Sequence, residues 1–225
     1  ASGGLPSGDG AVTIYYVGTL STYGGGEYFG FGDNTSNGGN GCRISLASQV
    51  GGELHVRFGP NYSIRYGTLP WNTPVVFSYS KAAGGTEVRT AYVNGVGRSP
   101  APYGSATPIN IPQSAPISID AMPGAVGNGM GFGNFAEALL YAEDHDDTKR
   151  EAVTNYLMQK YSISISDQVN IVTQGLLMHL DPAWDYNGTW KISDLSGLNR
   201  YATLSYNPTW HASGWFDYNR SNTDG

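Results

Sequence analysis

The chain has almost no cysteine. Cys42 stands alone among 225 residues, so no intrachain disulfide can form, and nothing else in the sequence supplies a Cys/His metal cluster. The fold has to be held by its core. Charge is scarce too: 13% of residues are charged, the formal net charge is -6, and Lys and Arg nowhere form a run that could follow a phosphate backbone. Nucleic acid is therefore a poor candidate partner. Long hydrophobic runs are missing as well. No stretch approaches the roughly 18 to 20 apolar residues that cross a bilayer, which predicts a soluble chain without membrane insertion or an uncleaved signal core. The chain starts at Ala1 without Met, which fits a processed precursor, a trimmed chain or a fragment of something longer.

What is abundant points to β-structure. The 32 glycines, 16 tyrosines and 12% aromatic content suit short strands joined by tight turns, and 40% hydrophobic residues are enough for a core. The run Ala11 to Leu20 is β-branched and aromatic and lies between Gly-rich turns, which predicts a central strand. Further strands are predicted at Glu27 to Phe31, Cys42 to Ala47, Glu53 to Phe58, Ser63 to Tyr66, Val75 to Ser80, Val88 to Val93, Ile117 to Ala121 and Phe135 to Tyr141. Their spacing is that of a sandwich. Asn94-Gly95 between two extended pieces favours the positive φ angles of a type I′ hairpin turn. From Ser99 to Pro116 the Pro-rich composition predicts an irregular excursion or a sheet edge.

One helix is predicted, Asp146 to Tyr161, where Val153, Tyr156, Leu157 and Tyr161 recur at helical spacing. Asp146 is its expected N-cap, with Thr148 and Glu151 offering a competing capping box. Beyond a polar stretch, strands are expected at Gly175 to Asp181, Tyr201 to Tyr206 and Gly214 to Tyr218, with Trp184 to Asn199 loop-like.

Three groups of segments resemble the laminin-G-like, concanavalin A-like jelly-roll domains of bacterial surface proteins and phage structural proteins. Val75 to Ser80 with Val88 to Gly95 is similar to the family's paired strands ending in a Tyr-Val-Asn-Gly hairpin. Phe135 to Tyr141, leading to Arg150 to Val153 and Tyr156 to Tyr161, is similar to its closing strand and helix. Gly175 to Asp181, Asp194 to Gly197 and Phe216 to Asn219 are similar to the segment that opens such domains. The resemblance implies an all-β jelly-roll sandwich with one short amphipathic helix near 146–161. The order is inverted, since the closing motif precedes the opening one. Residues 1–165 read as a sandwich lacking its first strands, 166–174 as a linker, and 175–225 as opening strands. Those strands complete the same sandwich as a circular permutation, complete a neighbour's by strand exchange, or begin a second repeat.

Catalytic signatures are mostly missing. Glycoside hydrolases of this fold resemble one another in a strand with acidic residues at alternate positions, and no such strand is present. His55, Arg57, Tyr62 and Arg65 offer the residue types of a polysaccharide lyase without the family's spacing. The acidic run Glu143 to Asp147 precedes the helix, where its charge complements the helix N-terminus. His55, His145, His179 and His211 are scattered, no nucleophile elbow occurs, and Gly24 to Gly26 lacks the rest of a P-loop. Sequons at Asn34, Asn61, Asn187 and Asn219 mark polar loops.

Loops that set an aromatic ring beside Asn or Asp are sugar platforms, because a ring packs on a sugar's apolar face while its hydroxyls find polar partners. Asp33, Asn34, Asn61, Tyr62 and Trp71 are the ligand-binding candidates, against a plainer reading of turn chemistry and core packing. No cofactor is expected except calcium, for which Asp33 and Asp120 are the candidate ligands. The leading expectation is a non-enzymatic surface or virion module, such as a capsid decoration, fibre or tail component, partnered by other virion or surface subunits. Its alternative is a carbohydrate-binding, lectin-like module of a secreted bacterial protein; a remote third is a glycan-cleaving enzyme. The expected location is the virion surface or the extracellular space.

Overall fold

The computed structural model describes residues 8–20, 26–33, 42–48, 53–58, 62–68, 72–84, 90–104, 111, 117–119, 133–163, 176–180, 191–193, 201–204, 209–211 and 215–217. Among them the chain forms β1 (Val12–Leu20), β2 (Gly26–Asp33), β3 (Cys42–Ser48), β4 (Glu53–Phe58), β5 (Tyr62–Thr68), β6 (Pro74–Lys81), β7 (Ala91–Val93), β8 (Val96–Arg98), β9 (Ala101–Gly104), β10 (Ile117–Ile119) and β11 (Gly133–Tyr141). The helix α1 (Asp147–Lys160) follows, then β12 (Leu176–Leu180), β13 (Lys191–Ser193), β14 (Tyr201–Leu204), β15 (Thr209–His211) and β16 (Trp215–Asp217). Among the described residues this is the all-β sandwich with one helix that the sequence predicts.

The first sheet runs β15-β16-β11-β1-β6-β7-β8, with β12 also on β11; the second runs β13-β14-β10-β2-β3-β4-β5-β9. Among the described strands β10 and β14 pair in parallel, and the other pairings are antiparallel. Leu176–Leu180 and Trp215–Asp217 lie along the same edge of β11, at Ala138 to Tyr141 and at Asn134 to Phe135 respectively. Leu180 is buried in the core between the sheets.

The sequence of β1 shows why this strand is central. Val12, Ile14 and Tyr16 point into the core between the sheets, while Tyr15 and Val17 belong to a second apolar layer on the opposite face. A strand covered on both faces reads as a nearly continuous apolar run. The second layer is completed by Val76, Ala136, Leu139 and Tyr141 from the sheet and by Val153, Leu157 and Met158 from α1. The helix thus covers the outer face of the first sheet.

A bulge between Val17 and Gly18 shifts the register against β11. Gly18 fits it because the Asn134 carbonyl oxygen occupies the place a Cβ would take.

Asp146 is the N-cap of α1: its Oδ1 accepts from Lys149 N at 2.9 Å. The competing cap at Thr148 is not used. Asp147 lies in the first turn and Lys160 in the last, each with the sign that suits the helix dipole. The loop into the helix is tied to β1 through Thr13 Oγ1, which accepts from His145 N at 2.9 Å and donates to Glu143 O at 2.7 Å. His145 Nδ1 lies 2.8 Å from Tyr15 Oη. Glu143 pairs with Lys149 at 2.6 Å, so the acidic run before the helix is largely absorbed into holding it.

Asn94 and Gly95 take φ of 51° and 76° between β7 and β8, the hairpin the dipeptide predicts. Pro102 lies in β9, an edge strand of the second sheet, the kind of position to which proline is confined in sheets. Two expectations need correction. Trp184 to Asn199 is not wholly loop-like, since Lys191–Ser193 forms β13 beside β14, and Thr209–His211 forms β15 where the sequence predicts no strand. Both are three-residue strands, too short to show a period of two. Residues 88–89 of the predicted Val88 to Val93 strand lie outside the described residues; Thr90 is described but not extended into the ladder, and the strand runs Ala91–Val93.

Candidate functional site

The two outer faces of the sandwich differ in character. That of the first sheet lies under α1 and is mostly apolar, with buried Glu137 of β11 paired to Lys160 of the helix at 3.3 Å, while that of the second carries several ionisable side chains. In β4 the alternation is strict: Leu54 and Val56 enter the core, so Glu53, His55 and Arg57 lie on the opposite face. In β5, Ile64 and Tyr66 enter the core, which leaves Ser63 and Arg65 on the outer face.

Register then lines these positions up. Glu27 of β2 opposes Ala47, Ala47 opposes His55, and His55 opposes Arg65. In a second row Gly30 opposes Ser45, Ser45 opposes Arg57, Arg57 opposes Ser63, and Ser63 opposes Tyr103.

Ion pairs cross the rows. Arg57 Nη1 donates to Glu27 Oε1 at 3.1 Å, and Arg65 Nη1 lies 3.3 Å from Glu53 Oε2. His55 Nε2 is 3.6 Å from the same Glu53 oxygen, too long for a hydrogen bond. Burial grades these groups. Glu27 and His55 are fully buried, whereas the side chains of Arg57, Arg65 and Glu53 keep 22%, 30% and 41% of their surface. Two buried groups therefore sit beside a solvent-reaching pair of guanidiniums and a carboxylate.

Burial holds the His55 imidazole well below its ordinary range, with the positive charges of Arg57 and Arg65 adding to the effect and Glu53 opposing it; its pKa is pushed down to about 4. At neutral pH the ring is uncharged, and neither nitrogen has a hydrogen-bond partner. Chemically, the face offers planar donors on two guanidiniums and an acceptor on Glu53 at fixed spacing on a rigid sheet. Such a set can pair with hydroxyl, carbonyl or carboxylate oxygens of a ligand.

Of the ligand-binding residues chosen from sequence, Asp33 ends β2 opposite Cys42, and Tyr62 begins β5 opposite Phe58 and Gly104. Their strands are three spacings apart in one sheet, about 14 Å. Asn34, Asn61, Trp71 and the calcium candidate Asp120 lie outside the described residues. The lyase-like set fares differently: His55, Arg57 and Arg65 do share one face. Glu27 and Glu53 were missed, though the Glu-x-His-x-Arg alternation of β4 is a legible signal that one strand face is polar. Among the described residues no three His, Cys, Asp or Glu side chains converge on a point that could hold a metal.

No protein-family model and no curated protein matches the chain. Solved structures do. A Bacteroides ovatus protein provisionally assigned as carbohydrate binding aligns with a TM-score of 0.54 at 13% identity, covering 89% of this chain and 55% of that one. The chain thus spans about half the length of that neighbour. The CBM40 domain of the Ruminococcus gnavus IT-sialidase, solved with α2,3-sialyllactose, aligns at a TM-score of 0.46 and 15% identity over 66% of this chain and 83% of that one. Trypanosoma rangeli sialidase aligns at 0.47 and 13% identity over 68% of this chain and 23% of its own. The B. ovatus alignment carries the β-sandwich fold, and fold alone leaves the function to the site.

Proposed function

We propose that the chain is a non-enzymatic carbohydrate-binding module working outside the cell, with the outer face of β4 and β5 as its glycan site. The observation that carries this reading is the clustering of Arg57, Arg65 and Glu53, partly exposed, beside buried Glu27 and His55 on the sheet face that α1 does not cover. Rigid sheet positions fix donor and acceptor spacing, which suits a ligand made of regularly spaced hydroxyls. The B. ovatus neighbour, described as carbohydrate binding and sharing the sandwich, supports a binding module over a virion assembly part. Asp33, Asn34, Asn61, Tyr62 and Trp71 stay in the proposal as candidate contacts at strand ends and loops.

The test is a glycan array followed by calorimetric titration of the strongest binder with the unsubstituted chain, Arg65→Ala and Arg57→Lys. Arg65 faces a half-exposed carboxylate and can be removed at little structural cost. Arg57 neutralises fully buried Glu27, so Lys keeps the charge while losing the planar fork. Each substitution is expected to weaken binding at least tenfold, about 1.4 kcal/mol. Binding at unchanged affinity in both variants refutes the site. A chain that binds no glycan and self-associates returns the assembly reading.

A further inference from the structure

The junction between the first sheet and α1 is built around one buried imidazole. His145, 5% exposed, precedes the helix N-cap, and its ring packs against Tyr141 of β11 and Tyr15 of β1 with centroids 4.3 and 5.7 Å away. Its Nδ1 lies 2.8 Å from Tyr15 Oη, and its Nε2 faces Glu143 Oε1 at 3.3 Å. The backbone of the same loop is held by Thr13 of β1, whose hydroxyl accepts from His145 N, donates to Glu143 O and lies 2.9 Å from Ser80 Oγ of β6. A hydroxyl has one hydrogen to give and two lone pairs, so Thr13 is fully used and Ser80 is the donor in the last of these bonds.

The partners also decide where the imidazole hydrogen sits. Glu143, paired with Lys149 at 2.6 Å, is an acceptor only, so the N–H belongs on Nε2, towards it. Nδ1 is then bare and accepts from Tyr15, which burial keeps in its phenol form. Among the described residues Tyr15 Oη has no other hydrogen-bond partner. A proton added at Nδ1 turns that nitrogen into a donor and leaves the Tyr15 hydrogen in the layer under α1 with nothing to accept it. Attraction to Glu143 does not replace the lost bond, because Glu143 belongs to the same loop and ties His145 to the loop rather than to β1. Of the charges around the ring, Glu143 and Asp146 favour its protonated form and Lys149 opposes it; burial prevails and holds His145 below the ordinary imidazole range. Tyr92, Asp147 and Arg150 share the wall of a recess with it.

We propose that His145 is a pH-sensitive clasp: neutral, it holds the loop 143–146 and the first turns of α1 against β1; protonated, it releases them while the sandwich stays folded. The release is local because the far end of the helix has its own anchors. Lys160 pairs with buried Glu137 of β11 at 3.3 Å, and Leu157 and Met158 lie in the apolar layer. Opening returns His145 to water and to its ordinary affinity for protons. The open form therefore binds a proton that the closed form does not, and it gains population as pH falls below 6.5. The device is separate from the face of β4 and β5 and does not depend on it.

The test is hydrogen exchange at single amides of the ¹⁵N-labelled chain at pH 7.5 and 5.5, corrected for the intrinsic pH dependence of exchange. The opening equilibrium at His145 and Val153 is expected to rise at least fivefold on acidification, and at both pH values to exceed that of Phe77 in β6, which marks the opening as local. Met158, near the anchored end, is expected to respond less than Val153. His145→Gln, which cannot titrate, is expected to remove the rise at Val153. A second readout needs no substitution: ¹⁵N shifts of the His145 ring are expected to show hydrogen on Nε2 and a bare Nδ1 at pH 7.5, with protonation only below pH 6.5. The proposal is overturned if the rise is absent, if Val153 opens only together with Phe77, if His145→Gln keeps the rise, or if the ring carries its hydrogen on Nδ1 at pH 7.5 or titrates at 6.5 or above.

Discussion

Acidification is expected to destabilise the protein through His55. The ring is fully buried between Ala47 and Arg65 in register, its nitrogens lack hydrogen bonds, and two guanidiniums lie nearby. The folded-state pKa is about 4, against an ordinary value of 6.5. The sign follows from proton counting: between these values the unfolded chain binds a proton at His55 that the folded chain does not, so stability rises with pH. The stabilisation is whole above about pH 6.5 and is lost as pH falls towards 4. A shift of this size is worth at most about 3 kcal/mol. Urea denaturation at half-unit steps from pH 4 to 7.5, for the unsubstituted chain and for His55→Gln, isolates it by difference. The two curves are expected to diverge below pH 6.5 and to differ in slope by up to one proton. Parallel curves across the whole range refute the reasoning, because His55 would then titrate alike in both states.

Three other substitutions or truncations probe the fold. Gly18→Ala drives a methyl into the Asn134 carbonyl and to within 2.7 Å of Tyr16 Oη; a loss of about 3 kcal/mol or more is expected in chemical denaturation, and a loss under 1 kcal/mol contradicts the close approach. Asp146→Ala removes the side-chain acceptor at the start of α1 and is expected to cost about 1 kcal/mol, with Asp146→Asn nearly neutral. A chain ending at Ser166 lacks β12 to β16, which border β11 and β10 and bring Leu180 into the core. We propose that this segment completes the chain's own sandwich. Light scattering of the full chain should then give a monomer, and the shortened chain should unfold at a much lower temperature; concentration-dependent oligomers lost on shortening favour strand exchange instead.

The large features of the fold are legible because their causes are local. The β-branched and aromatic run of β1, the Asn94-Gly95 turn and the Asp146 cap each announce themselves within a few residues. The sequence predicts a helix at 146–161 and the structure has it at 147–160, offset only by its two caps. The three-residue strands β13 and β15 were not legible, since their pairing depends on neighbours distant in the chain. The site shows the same division. Aromatic-plus-Asx pairs drew attention to Asp33, Asn34, Asn61, Tyr62 and Trp71, because sugar platforms are recognisable as short motifs. Glu27 and Glu53 escaped notice because each meets its Arg only through strand register, across 30 residues for Glu27 and Arg57.

The claim that the second sheet's outer face binds carbohydrate is tested most directly by mapping amide shifts as the ¹⁵N-labelled chain is titrated with the best array glycan. The account predicts that the largest saturable changes fall in Glu53–Phe58 and Tyr62–Thr68, around Arg57 and Arg65. Changes confined to the first sheet and α1, or no saturable change at all, would contradict it.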